Sequence, residues 1–345
     1  MPPAGIGAPD QAPQPSVYSC AQISRVLDAQ GFAPRVLVLL QDAYRAYTRG
    51  DVVLGPVTHY GGPSAALRGG GDFCLKTGFL ANDDVVVVKV APGSFTGNIK
   101  LSPPLPSNTG VMMLFSQDTG RLESILLDEG ILTEVRTALA GALAAQLFAP
   151  SNLQEIGILG CGIQARYQLE ALEAVTNCRK VVVWGRDGMK ARQYQQDMQK
   201  AGVWQIEVVS TPQEVAQRCR LLVTVTSAAE PLLRAGDVLP GTHITCIGAD
   251  ADGKQELDPA IFCTAAVVVC DSRSQCCSFG EVSAAVKSGL IDSTAVLEMG
   301  QVIDMPELHR KHDDTRITIF DSTGIAAQDV TIAKAVYQQL RQAAL

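Results

Sequence analysis

Three kinds of residue in this chain could do chemistry: a glycine turn, isolated cations within apolar segments, and a carboxylate in a turn after a strand. The turn is Gly160-Cys161-Gly162-Ile163-Gln164-Ala165, preceded by the apolar run Ile156-Gly157-Ile158-Leu159 and opening into a helical pattern. Gly160 permits a tight turn, Gly162 lets backbone approach a pyrophosphate, and small Ala165 lets helix and strand pack closely, with phosphates resting on the helix N-terminus. A second apolar run, Lys180-Val181-Val182-Val183-Trp184-Gly185, follows at the distance that completes a βαβ unit, the context that makes such a turn a dinucleotide site. At the end of this second run an acid would bind the ribose of NAD, but the chain has Gly185-Arg186-Asp187. Arg186 favours a 2′-phosphate and hence NADP(H), while Asp187 leaves NAD(H) open.

Arg136 lies near the start of an Ala/Leu-rich segment, where a guanidinium either forks two hydrogen bonds onto a carboxylate or sits at the surface. Lys76 and Lys89 each interrupt an apolar strand, in Phe-Cys-Leu-Lys-Thr-Gly-Phe and Val-Val-Val-Val-Lys-Val. Each points either to solvent or into a site that supplies an anion, because an unpaired buried ammonium is costly. Asp250, in Ile247-Gly248-Ala249-Asp250-Ala251-Asp252-Gly253-Lys254, follows a strand at the carboxyl edge of a sheet. It is either a turn residue or a group placed for proton transfer. The four histidines show no metal spacing and none is set beside a nucleophile, so no metal and no triad is expected.

The elements that must position these groups follow from periodicity. Unalternating Val/Ile runs at 156–160, 181–185, 206–210, 221–227, 243–248, 266–271 and 316–321 mark strands buried on both faces. They predict a Rossmann-type, doubly wound α/β domain with a parallel sheet. Before it, helices are expected at 19–30 and 34–50, then strands at 52–58, 73–79, 84–90, 111–116 and 124–127 with hairpin punctuation, an α+β domain. Thr133 is the expected N-cap of a helix over 133–148, and a last helix over 325–341 is expected to return to the first domain. The predicted division is a disordered tail at 1–16, a discontinuous substrate-binding and dimerisation domain at 17–132 and 323–345, and a nucleotide domain at 133–322.

With 345 residues, 47% apolar and 18% charged, the chain suits two soluble domains. A net charge of −7 without a basic stripe argues against nucleic acid, and no apolar run is read as a membrane span. Ten cysteines without Cys-x-x-Cys pairs, in a chain this long, fit buried thiols in a cytoplasmic protein better than disulfides.

Several segments in order resemble the ornithine cyclodeaminase/mu-crystallin family, from about residue 20 to the end. They are Lys-Val-Ala-Pro-Gly-Ser-Phe-Thr-Gly-Asn from Lys89, Leu-Pro-Ser at 105–107, Leu-Thr-Glu-Val-Arg-Thr-Ala from Leu132, and the turn from Gly160. Gly-Ala-Asp-Ala-Asp-Gly-Lys from Gly248, Phe-Gly-Glu-Val from Phe279 and Asp-Ser-Thr-Gly-Ile-Ala-Ala-Gln-Asp from Asp321 complete the set. The resemblance implies a homodimer joined through its N-terminal domains, each protomer with a nicotinamide cofactor on the Rossmann domain. By position, Lys89 and Arg136 would hold a substrate α-carboxylate and Asp250 would be the acid/base, with Lys89 also among the catalytic groups. Ser107, Arg136, Ile163, Gln164, Thr226, Ile247, Lys254 and Ser322 would line the cofactor.

One departure is informative. Ornithine cyclodeaminases proper carry a further arginine, and an acidic residue shortly after it, in the stretch that here reads Val53-Leu54-Gly55-Pro56-Val57-Thr58-His59. Lys76 would take over the anion contact, which is closer to the family's imino-acid reductases and ectoine-utilisation members. The leading expectation is an NAD(P)-dependent oxidoreductase that acts on the C–N bond of a small α-amino or imino acid. Two others stay open: a redox-neutral ammonia lyase that makes proline from ornithine with recycled NAD+, and a mu-crystallin-type protein that binds NADPH and a small ligand.

Overall fold

The computed structural model describes residues 14–61, 67, 69–200, 202–311 and 314–343. The first sheet is built from β1 (Ser16–Ser19), β2 (Val52–Leu54), β3 (Thr58–Gly61), β4 (Asp72–Leu80), β5 (Val85–Gly93), β6 (Val111–Ser116) and β7 (Leu122–Leu127). Its order is β1-β7-β6-β5-β4-β2, with β3 also on β4, and every pair except β1–β7 is antiparallel. Helices α1 (Cys20–Leu27) and α2 (Phe32–Arg49) precede β2, and α3 (Ile131–Phe148) leads out of the sheet.

The expected strand over 52–58 is two strands. Pro56 has no N–H for a ladder, so β2 stops at Leu54, and Gly55 passes so close to β4 that a Cβ there would lie 2.1 Å from Thr77 Oγ1. Ser16, expected in the tail, belongs to β1, a strand that the sequence pattern does not predict; residues 1–13 of that tail lie outside the described residues. Thr133 does not cap α3. The helix begins two residues earlier after Gly130, at φ 89°, and Asp128 Oδ2 accepts from Leu132 N at 3.1 Å in the capping role.

The second sheet takes β8 (Ile156–Leu159), β9 (Lys180–Trp184), β10 (Gln205–Val208), β11 (Leu221–Thr224), β12 (His243–Cys246), β13 (Ala265–Cys270), β14 (Leu297–Glu298) and β15 (Ile317–Asp321). All pair in parallel in the order β10-β9-β8-β11-β12-β15-β13-β14. The doubly wound expectation holds, with β14 an added edge strand too short to leave a periodicity. Helices α4 (Ile163–Leu172), α5 (Gly188–Gln199) and α6 (Pro212–Arg218) cross between the early strands, α7 (Arg273–Phe279), α8 (Glu281–Lys287) and α9 (Met299–Ile303) follow β13, and α10 (Ala326–Ala343) closes the chain. Strand order reverses between β8 and β11, so their carboxyl ends open the crevice in which such sheets bind ligands.

Helix α3 is the keystone of the packing. By length and composition it could cross a membrane, yet it runs inside the fold, with Leu132, Leu139, Ala140, Ala142, Leu143, Ala144 and Phe148 almost wholly buried. Small residues let α4 approach: a Cβ on Gly141 would meet Gln168 Oε1 at 2.2 Å. Helix α10 packs on α2, α3, β4 and β5, so the last helix lies against the first sheet. The ten cysteines are all unpaired, with Cys219, Cys246, Cys270 and Cys276 buried.

Phe148 meets the second sheet at His243, ring centroids 5.5 Å apart. The imidazole is fully buried between Thr318 Oγ1 (2.9 Å) and Thr245 Oγ1 (3.2 Å), and burial, aided by Arg310, lowers its pKa to about 3. Below pH about 6.5 the unfolded chain therefore takes up a proton that the fold refuses, and stability falls as pH drops toward 3. His243→Asn should flatten that limb by close to one proton, about 1.4 kcal/mol per pH unit, in urea unfolding between pH 4 and 6. An unchanged slope would show that His243 does not set it.

Candidate functional site

The glycine turn has the geometry its residues suggest. Gly160 sits at φ 125°, and a Cβ there would strike Val225 O at 2.8 Å. At Gly162, the residue before α4, a Cβ would meet nothing within 4 Å, so the backbone is open to an approaching group. Ile163 is exposed at the start of α4, whose first turn carries no acid, and Ala165 is fully buried against the sheet. Free amides at the start of a ten-residue helix suit an anion.

Next to the turn is a cavity of about 300 Å³ lined by Gly160, Gly162, Trp184, Arg186, Asp187, Lys190 and Thr226. Asp187 is engaged as the cap of α5, accepting from Met189 N (2.9 Å) and Lys190 N (3.3 Å). Arg186 and Lys190 are exposed, and neither has an ion-pair partner among the described residues. The turn, the open helix start and two uncommitted cations fit a dinucleotide.

A second cleft, about 440 Å³, continues from the first and gathers Glu134, Arg136, Ile163, Gln164, Thr226, Ile247, Asp250, Lys254 and Ser322. Asp250 Oδ1 pairs with Lys254 Nζ at 2.5 Å in a half-exposed contact. Ser107 lies on an exposed loop, and its neighbour Asn108 is the residue that reaches the cleft wall. Among the described residues, no group of three His, Cys, Asp or Glu could hold a metal ion.

Lys76 and Lys89 do not line this cleft. They are paired directly across β4 and β5 and lie beneath it, 8% and 2% exposed. Lys89 Nζ reaches Asp329 Oδ1 on α10 at 3.0 Å, and Arg136 Nε meets the same oxygen at 2.9 Å. Lys76 Nζ donates to the carbonyls of Thr323 (3.3 Å) and Gly324 (2.6 Å). The anion that answers the buried lysine at 89 is thus internal. Burial lowers the Lys89 pKa to about 8 against the pull of Asp329; for Asp329 burial acts upward, but Lys89, Arg136 and Lys76 together hold its carboxyl below the usual range. Arg136 Nη1 also donates to Gln328 Oε1 at 2.7 Å, leaving the outer edge of the guanidinium toward the cleft.

Sequence reasoning missed the carboxylates behind the walls. Glu256 accepts from Thr226 N (2.6 Å), Thr226 Oγ1 (2.7 Å) and Gly248 N (3.0 Å), tying together the loops after β11 and β12; burial raises its pKa to about 7. Asp271 Oδ2 accepts from Ser322 Oγ (2.8 Å) and Gly324 N (2.6 Å) and fixes the loop after β15. Glu134 was also passed over. Its Oε2 accepts from Gln164 Nε2 at 2.6 Å, and burial raises its pKa, with Arg136 opposing and Asp250 adding to the shift. The Asp321-to-Asp329 motif was the available signal for Asp329; nothing local singled out Glu256.

The fold and the cleft define a doubly wound α/β protein with a second, mostly antiparallel unit beside its ligand crevice. Residues 41–344 match the family model described as the ornithine cyclodeaminase/mu-crystallin family, and the chain belongs to that family. It is 35% identical over 304 residues to an uncharacterized cyclodeaminase, y4tK, of Sinorhizobium fredii, covering 88% of this chain and 89% of that one. The iminosuccinate reductase of Paracoccus denitrificans in complex with NAD+ superposes with a TM-score of 0.84 at 27% identity, covering 96% and 97% of the two chains. An archaeal alanine dehydrogenase dimer with bound NAD gives 0.81 at 30% identity, again covering 96% and 97%.

Asp329→Asn should leave two buried cations short of an anion and destabilise the fold by about 3–5 kcal/mol. Asp329→Leu combined with Lys89→Met should recover part of that loss in denaturant unfolding. If the single variant is as stable as the parent, the ion cluster is not holding the three elements together.

Proposed function

We propose that this chain is an NAD(P)-dependent oxidoreductase that acts on the C–N bond of a small α-amino or imino acid. The observation that carries the proposal is the convergence, in one cleft beside the glycine turn, of Arg136, Asp250, Lys254 and Ser322. Residues 133–322 would form the nucleotide-binding domain and residues 17–132 with 323–345 the substrate-binding and dimerisation domain. The dimeric alanine dehydrogenase supports a homodimer. Ten unpaired cysteines support a cytoplasmic setting.

The cofactor, when bound, supplies or accepts hydride at the substrate α-carbon. Gly160, Gly162, Ile163 and Gln164 would hold its pyrophosphate, and Ser107, Thr226, Ile247, Lys254 and Ser322 its nicotinamide half. Arg136 would take the substrate carboxylate with its cleft-facing edge, oriented from behind by Asp329 and Gln328. Lys89 and Lys76 support that seat from below by charge and by holding the 323–324 loop. Asp250 would pass the proton at the reacting nitrogen once Lys254 turns to the cofactor. Positioning and a placed proton donor account for the rate in such a site. Arg186 and Lys190 support NADP(H), since both stand free where a 2′-phosphate would lie and Asp187 is spent on its helix.

The test is nicotinamide absorbance over time, with NADH and NADPH separately, across imino acids formed from 2-oxo acids and amines. Cofactor oxidation with one of them is expected, and Asp250→Asn should remove turnover by at least about 100-fold while cofactor binding persists. Arg186→Ala should raise the KM for NADPH and leave that for NADH nearly unchanged; equal effects would remove Arg186 from cofactor choice. Similarity to a protein named a cyclodeaminase favours one second reading: ammonia released from ornithine with no net cofactor change would establish a lyase instead. Tight NADPH binding without any turnover would indicate a binding protein.

A further inference from the structure

Glu134 is a carboxylate in the cleft that no part of the scheme above uses. It stands in the first turn of α3, two residues before Arg136, and both side chains open on the same cavity as Asp250. A chain of amides fixes its orientation: Gln168 Nε2 donates to Gln164 Oε1 (3.0 Å) and to Thr137 O (3.1 Å), and Gln164 Nε2 donates to Glu134 Oε2 (2.6 Å). Its other oxygen, Oε1, has no hydrogen-bond partner among the described residues. The two cations of the cleft are engaged elsewhere, Arg136 with Asp329 and Lys254 with Asp250. A held, partly buried carboxylate whose nearest cation, Arg136, is shared with Asp329 suits a ligand that brings a positive charge of its own.

We propose that Glu134 binds the protonated nitrogen of the substrate, so that with Arg136 it forms a two-pole seat for the zwitterion of an iminium carboxylate. This rests on the imine-reduction reading and adds a second catalytic residue to it. The carbon of a protonated imine is the hydride acceptor: hydride adds to carbon, the C=N π pair moves onto nitrogen to give a neutral amine, and the cofactor leaves oxidised. Asp250 then supplies the proton that makes the ammonium. Glu134 contributes by keeping the imine protonated in the complex, a preorganised charge opposite the one that must be present when hydride arrives.

Glu134→Gln tests the charge alone, because the amide oxygen still accepts from Gln164. With the imino acid that the wild-type protein reduces fastest, kcat should fall about 100-fold and its alkaline fall-off should move to lower pH, since the bound imine loses its proton more easily without the carboxylate. NADPH affinity from the fluorescence of bound cofactor should not change, and Glu134→Asp should restore part of kcat. Unchanged kcat and pH profile in Glu134→Gln would overturn the proposal and leave the reductase standing. Weaker NADPH binding with kcat intact would also overturn it, by making Glu134 a cofactor contact. If the wild-type protein oxidises NAD(P)H with no imine, the functional reading fails and this proposal with it.

Discussion

The single carboxylate of Asp329 ties together, by charge, three elements that also share the apolar core of the first unit. It sits on α10 and receives Lys89 from β5 and Arg136 from α3, all three side chains nearly inaccessible to water. Taking such groups out of water costs several kcal/mol per ion, and their attraction offsets that cost only when geometry and hydrogen bonds are good. Here the cations outnumber the anion, and the lysine, whose charge is the more easily lost, is the group whose pKa gives way, to about 8. Arg136 is given a direction by its partners. Its Nη1 is held by Gln328, whose Nε2 donates to Tyr44 OH at 2.5 Å, and Gly324, at φ 79°, passes so close that a Cβ would sit 2.6 Å from Nη1.

The same exchange of desolvation for fixed geometry recurs at the carboxyl edge of the parallel sheet. Glu256, Glu281 and Asp321 are buried and their pKa values raised, with neighbouring carboxylates adding to the shift for Glu281 and Asp321. Glu256 and Asp271 accept donors from the loops that form the cleft, while Glu281 accepts from Leu257 N and Asp321 from Val282 N behind them. Loop amides buried without partners would cost about 1–3 kcal/mol each. Side-chain carboxylates meet that need where no neighbouring strand can, because the loops after β11, β12 and β15 diverge beyond the last ladder bond. Gly248 shows how close the fit is: a Cβ would lie 2.2 Å from Thr226 O and 2.4 Å from Glu256 Oε2. The cleft walls are therefore set by polar contacts from behind, not by apolar packing.

What could be read in the sequence divides along this line. The parallel strands were legible because burial on both faces leaves continuous Val and Ile runs, and the turn at Gly160–Ala165 because tight backbone geometry leaves glycines. The lysines at 76 and 89 were recognisable as anomalies, but their destination depended on register. Only the pairing of Lys76 with Lys89 across β4 and β5, under a helix that starts some 240 residues later, decides that they face Asp329 and the 323–324 carbonyls instead of solvent or the cleft. The start of α3 was misplaced because Thr133 has the right side chain for a cap, while the cap in use, Asp128, acts across a left-handed Gly130. Glu256 carries no periodic or motif signal, and Glu134, though inside the Leu132-to-Ala138 segment, has nothing in the sequence to show its role, since both roles exist only once distant loops have converged.

The charge pattern that results also separates the two ends of the crevice. At the sugar-phosphate end every mobile charge near the turn is positive, because Asp187, the one acid there, is committed to two amides of α5. Such a cap contributes about 1 kcal/mol to its helix, so turning Asp187 toward a ribose hydroxyl would exchange two charge-assisted amide bonds for a charge-assisted hydroxyl bond and uncap α5. A 2′-phosphate makes no such demand, because Arg186 and Lys190 can meet it while Asp187 stays in place. At the other end Arg136 and Glu134 face the cleft with opposite signs from the same turn of α3. A ligand that is anionic throughout suits the first end and is opposed by Glu134 at the second, so the proposed cofactor and the proposed zwitterion are each matched in charge to one end only.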